Sequence, residues 1–154
     1  MKKMKTPPRS NLRTGITVSF QAPSGNIGHA VFEQAIRCVL RAEKRRASSI
    51  SCVVVSDEEI HALNKRFLNH DYPTDIITFP LEDEPLEAEL VISIDSARRQ
   101  AQDYGVHMRE ECMRLAIHGM LHLCGYDDGG DTGTERMKAR EDELLSQCIK
   151  KDRR

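Results

Sequence analysis

Tryptophan is absent from this chain, and only three tyrosines and four phenylalanines occur among its 154 residues. Platforms of aromatic rings for stacking bases are therefore sparse. No apolar run approaches the roughly 18 to 20 residues that a bilayer span requires, which excludes a helical membrane protein. The basic start, MKKMKTPPRSNLR, lacks the apolar stretch that would make it a secretory signal. The five cysteines (Cys38, Cys52, Cys112, Cys124 and Cys148) are odd in number, scattered, and without a C-x-x-C pair. That pattern excludes a disulfide scaffold and reads as small apolar core residues in a reducing compartment, so the expected location is the cytoplasm. An excess of one charge is also missing. Lys and Arg number 23 against 24 Asp and Glu, a net −1, so any contact with nucleic acid has to come from local patches. There is no internal repeat and no low-complexity segment.

What is present fits one ordinary globular domain over residues 1–154, with residues 1–13 as a basic arm. Hydrophobic content is 39% and charged content 31%. Gly15 to Phe20 alternates like a half-buried strand. Val31, Phe32, Ala35, Ile36, Val39 and Leu40 recur at helical spacing and predict a helix over 29–46, with Arg37, Arg41, Lys44, Arg45 and Arg46 on its outer face. Ser51 to Val55 is a short β-branched run, a buried strand. Ser56 with Glu59 is a capping box that opens a helix to about Phe67. A loop over 69–74 follows, then a strand over 75–79 that stops at Pro80. After an acidic connection over 82–87 comes a strand over 90–94. Asp95 is expected to cap a helix that Gly105 ends. The longest helix runs from about Met108 to Cys124 and is ended by Gly125, and a last amphipathic helix covers 135–149. The order β-α-β-α-β-β-α-α-α implies an α+β fold, a four-stranded mixed sheet with helices packed on it.

The chemistry is concentrated in HGMLHLCGYDD, residues 118–128. His118 and His122 lie one helical turn apart, so both imidazoles can reach one ion. Gly125 can take the left-handed conformation that folds the chain back over the helix end. Asp128 is then well placed as a third ligand, with Asp127 as its competitor or as a turn-stabilising carboxylate. Two nitrogens, one oxygen and an open position for water match catalytic zinc, whereas structural sites usually close all four positions. The site would sit on the long helix and the loop after it, with one Zn²⁺ per chain and no nucleotide cofactor. Zinc peptidases of the H-E-x-x-H type carry a glutamate base beside the first histidine, where this chain has Gly119. Phosphodiester hydrolysis is the natural alternative, since a metal also offsets charge on phosphate oxygens.

These residues resemble the YbeY family of bacterial endoribonucleases, which act on single-stranded RNA in ribosomal RNA maturation. The family's H-G-x-L-H-L-x-G-Y-D-H appears as HGMLHLCGYDD. Its L-N-x-x-Y-R-x-x-D-x-P-T-D-V-L-S-F-P appears as LNKRFLNHDYPTDIITFP, and its G-D-I-x-I-S strand as AELVISI, followed by SARRQAQDYGVH. The landmarks agree in order and spacing over about residues 50 to 130. The resemblance implies zinc held by His118, His122 and Asp128, and a role in processing the 3′ end of small-subunit rRNA and in ribosome quality control. It also implies single-stranded rRNA, the ribosome or a small-subunit precursor as partner, with no membrane. Two positions depart from the pattern. The family's third ligand is usually His, here Asp128, and its Arg is here Leu68, so support for the phosphate would fall to Arg66 or His70. The segment Asp71, Pro73, Thr74, Asp75 is assigned to cleft architecture; His29, His61 and His107 read as structural, without an identifiable partner.

Two other classes stay open on the residues alone: a zinc amidase or peptidase with an outside base, and a non-catalytic assembly factor whose zinc only pins the C-terminal loop. RNA-tracking cations could come from Lys2, Lys3, Lys5, Arg9 and Arg13, from the first helix, or from Arg98 and Arg99; the first helix is the favoured patch.

Overall fold

The protein is described by a computed structural model covering residues 13–127 and 129–152. Four strands, β1 (Gly15–Phe20), β2 (Ala47–Val55), β3 (Ile76–Glu82) and β4 (Leu86–Ser93), form one mixed sheet in the order β1-β2-β4-β3. β1 and β4 run parallel to β2, and β3 runs antiparallel to β4 at the edge. Five helices pack on the sheet: α1 (His29–Ala42), α2 (Asp57–Leu68), α3 (Ile94–Tyr104), α4 (Met108–Leu123) and α5 (Gly130–Asp152). The expected α+β class, element order and four-stranded mixed sheet are all present.

Alternation along the strands sends their side chains to two layers. Ile50, Cys52 and Val54 of β2, with Leu86, Ala88, Leu90 and Ile92 of β4, face the main core with α1, α4 and α5. Val55, Ile77 and Val91 face the other way and pack with Ile60 of α2. The central helix α4 buries Cys112, Met113, Leu115, Ala116, Ile117, Met120 and Leu121 on several sides at once. One residue sets how closely it approaches the sheet. A Cβ on Gly119 would come within 2.5 Å of Ile76 Cδ1 and 2.9 Å of Leu90 Cδ2, so α4 lies almost directly on β3 and β4 there.

Several boundaries differ from the sequence reading. α1 ends at Ala42 instead of Arg46, because Lys44 turns left-handed (φ 52°) and the chain enters β2 four residues earlier than expected. β3 continues through Pro80 to Glu82. It is an edge strand, where a missing N–H on the open side leaves no ladder bond unmade. β4 begins at Leu86 instead of Leu90, so the acidic stretch between β3 and β4 is a tight turn. Ser93, not Asp95, caps α3, its Oγ accepting from the Ser96 N–H at 3.1 Å. Asp95 instead accepts from the Asp57 N–H at the start of α2, at 2.9 Å. The Ser56 cap on α2 and the left-handed Gly105 after α3 are as expected. α5 starts at Gly130, five residues before the apolar pattern shows itself.

Candidate metal centre

His118 and His122 both occupy the last turns of α4, where 3.6 residues per turn puts them on one face. Their Nε2 atoms stand 3.2 Å apart, with rings at 85° to each other and centroids 4.7 Å apart. Two imidazole nitrogens bound to one tetrahedral zinc at 2.0–2.1 Å would be separated by about 3.3 Å. The pair is thus already set at the spacing of two ligands of a single ion. Their polarity is right as well, since imidazole is a standard zinc donor.

The helix end behind them is shaped by Gly125, whose φ of 99° few other residues adopt. Its N–H donates to the His122 carbonyl at 3.0 Å, and the Tyr126 N–H to the Leu121 carbonyl at 3.0 Å. The returning chain is then anchored by the Tyr126 hydroxyl, which donates to Glu43 Oε1 at 3.1 Å. Arg140 of α5 donates to the same oxygen at 2.8 Å. Asp127 is exposed and accepts from the Gly129 N–H at 2.9 Å, a contact of the turn-stabilising kind, one of the roles left open for it. Asp128 lies outside the described residues. Among the described residues no three His, Cys, Asp or Glu side chains form a complete metal group, so the histidine pair stands as the described part of the site.

His118 opens onto a cavity of about 500 Å³ between α3, α4, α5 and the start of β3. Asp75, Gln100, Glu111, Arg114 and Glu141 supply its polar wall, and Val106, Leu115 and Met137 its apolar one. Asp75 is fixed there by Gln100, which donates to its Oδ2 at 3.1 Å, and by its own carbonyl, which accepts from the Ser93 N–H at 2.9 Å. Asn64 holds the loop before it through the Tyr72 carbonyl at 2.8 Å. Of the Asp71, Pro73, Thr74, Asp75 segment assigned to the cleft, Asp75 lines the cavity, while Asp71 is exposed and pairs with His61. Glu111 is nearly inaccessible, and burial pushes its carboxyl up to about 7, with Arg114 pulling the other way. Its Oε2 has no hydrogen-bond partner among the described residues.

Two residues that the sequence did not single out stand beside the pair. Glu141 of α5 meets His118 Nδ1 at 2.8 Å, and Arg114 of α4 bridges Glu141 at 3.2 Å and Asp142 at 2.9 Å. A signal was available. Met137, Glu141, Leu144 and Cys148 recur at helical spacing, so Glu141 is a carboxylate on an otherwise apolar stripe, and such a group needs a partner.

The remaining candidates lie elsewhere. Arg66 sits over the Phe67 ring at 5.1 Å, His70 stacks on Tyr72 at 5.3 Å, and neither lines the cavity with His118. Leu68 is exposed at the end of α2. His61, expected to be without a partner, pairs with Asp71 at 2.9 Å, and His29 stacks on Phe20. The favoured basic patch is largely engaged: Arg37 pairs with Glu33 at 3.0 Å, Arg45 with Asp83 at 2.6 Å, and Arg46 with Glu84 at 3.8 Å. Arg98 pairs with Asp95, and Arg99 with Asp57. Of the N-terminal arm, residues 1–12 fall outside the described residues. All five cysteines are free thiols, three buried and two half-buried.

A family profile described as Endoribonuclease YbeY matches residues 20–149. Among curated relatives, endoribonuclease YbeY of Pelotomaculum thermopropionicum is 38% identical over 146 residues, covering 88% of this chain and 92% of that protein. The Chlorobium phaeobacteroides protein of the same name is 38% identical over 120 residues, 77% of this chain and 83% of that one. Among solved structures, the solution structure of a Thermotoga maritima protein, TM1509, superposes with a TM-score of 0.65 at 25% identity, covering 90% of this chain and 91% of the other.

Proposed function

The chain belongs to the endoribonuclease YbeY family, and on that premise we propose that it is a zinc-dependent endoribonuclease that cleaves single-stranded RNA in the maturation of ribosomal RNA. The observation that supports the metal is the convergence of two imidazole Nε2 atoms at 3.2 Å beside a cleft. Bound there by His118, His122 and Asp128, zinc would supply an activated water and offset charge on the phosphate. The chain's own residues do the rest. The Asp75 side of the cleft and the α5 side bound the space a strand would enter. Of the two cations on the cavity wall, Arg114 is committed to Glu141 and Asp142, and exposed Lys138 is our candidate for a backbone phosphate. A glutamate base of the peptidase kind has no room at position 119, since even a Cβ there would collide with Ile76 and Leu90. That contact favours phosphoryl chemistry over amide hydrolysis. The partner we propose is single-stranded rRNA in the ribosome or its small-subunit precursor, in the cytoplasm.

The test is cleavage of an unstructured RNA oligonucleotide beside a duplex of the same sequence, with a peptide library in parallel. Internal cuts in the single strand only, abolished by a chelator and restored by zinc, are expected. Intact RNA with hydrolysed peptides would transfer the protein to the amidase class.

A further inference from the structure

We infer that Glu141 is a positioning residue that presets His118 for the metal by fixing which imidazole nitrogen carries the proton. This rests on the reading of His118 as a metal ligand. An ionised carboxylate only accepts hydrogen bonds, so at 2.8 Å Glu141 Oε2 accepts from His118 Nδ1, which must therefore carry the ring proton. The lone pair is then on Nε2, the atom that faces His122 Nε2 at 3.2 Å, where an ion would sit. A neutral histidine in water favours the opposite arrangement, with the proton on Nε2, so Glu141 reverses an intrinsic preference.

The carboxylate is itself immobilised. Its side chain is only 12% exposed, and Arg114 Nη1 holds the other oxygen at 3.2 Å while also binding Asp142 at 2.9 Å. Arg114 is one turn before His118 on α4, so the chain of contacts leaves α4, crosses to α5 and returns to α4 at the ligand. Met137, Leu144, Leu145 and Cys148, all buried, seat the stripe of α5 that carries Glu141. A carboxylate among them is tolerated because both oxygens are paired. Carboxylates behind a metal-bound histidine typically contribute about 10- to 100-fold in affinity.

A purely mechanical role, tying α5 to α4, would also make Glu141 sensitive to substitution, so the experiment has to separate the two. Zinc affinity is measured by chelator competition, and the His118 tautomer by long-range ¹H–¹⁵N NMR on the metal-free protein at pH 8, for wild type, Glu141→Ala, Glu141→Met, Glu141→Gln and Leu144→Ala. The wild type is expected to show the Nδ1–H form. Ala and Met should move it to Nε2–H and weaken zinc about 10- to 100-fold. Met fills the stripe with apolar volume and is the variant to read if Ala fails to fold. Gln, whose carbonyl oxygen can accept the same bond, should keep the tautomer and stay within a few-fold of wild type. Leu144→Ala loosens the same helix and should leave tautomer and affinity unchanged. Unaltered tautomer and affinity in the Ala and Met variants, or an equal loss in Leu144→Ala, would overturn the assignment alone. A wild type that binds no zinc would overturn the metal reading and this inference together.

Discussion

Glu111 is sealed into α4, its Oε2 without a hydrogen bond among the described residues and only 4.0 Å from Arg114 Nε, and burial raises its carboxyl to about 7. A carboxyl whose folded value lies above its unfolded one stabilises the fold below the unfolded value and loses that contribution as pH rises through the folded one. The window here runs from about 4.5 to about 7. Glu111→Gln should therefore raise thermal stability at pH 8, by roughly 1–3 kcal/mol if the charge is as poorly satisfied as its surroundings indicate. Near pH 4.5 it should change little. Melting curves at the two pH values check this, and equal shifts at both would refute it. At this scale His118 and His122 were legible in the sequence because helix spacing alone brings i and i+4 together. The apolar stripe of α5 marks Glu141 as a carboxylate in need of a partner but not which one, because its approach to His118 spans 23 residues and depends on how α5 docks. The directions of Arg66 and His70 were hidden for a similar reason. Each is set by a neighbouring ring, Phe67 or Tyr72, that no spacing rule points to.

Between elements, two contacts carry distinct expectations. Asp57 joins the starts of α2 and α3. Its carboxylate accepts from Arg99, from Ser93 Oγ at 2.6 Å and from Ser96 Oγ at 3.1 Å, and the Arg99 guanidinium chiefly holds it below the usual carboxylate range. Because its folded value is depressed, its stabilisation is present above the unfolded value and is lost as pH falls through the folded one. Asp57→Asn should cost about 1–2 kcal/mol at pH 7, with the difference vanishing in acid melts. A deficit that persists at low pH would point to the hydroxyl bonds instead of the charge. At Gly119, alanine gains roughly 1 kcal/mol of helix propensity but meets Ile76 and Leu90 inside contact distance. Overpacking of this kind costs about 1–3 kcal/mol, so Gly119→Ala should lower the melting temperature, and a rise would mean that β3 yields freely. Caps and stops were readable from sequence, Ser56 and Gly105 among them, because they act within one turn. The extension of β3 through Pro80 was not, since only the strand order makes β3 an edge. Nor was the exchange at the Ser93–Asp95 corner, where Asp95 serves another helix.

For the molecule as a whole, the sheet, the α+β class and the placement of the long helix followed from the order of elements and their periodicity. The fate of the basic groups did not. The acidic turn between β3 and β4 folds back onto the segment after α1 and engages Arg45 and Arg46, which ties part of an expected RNA-facing patch into surface ion pairs. RNA affinity carried mainly by α1 would therefore be weak. Arg41→Ala with Lys44→Ala should change binding of single-stranded RNA less than Lys138→Ala, measured by fluorescence anisotropy at fixed salt. The reverse order would restore α1 as the interface. Everything functional still turns on whether the histidine pair holds the metal that cuts RNA. The most direct measurement is the rate of internal cleavage of a single-stranded RNA by wild type and by His122→Ala, purified in parallel, with zinc content and folding recorded for both. The expected result is stoichiometric zinc and cleavage in the wild type, and a folded His122→Ala with neither; undiminished cleavage by a folded, zinc-free His122→Ala would contradict it.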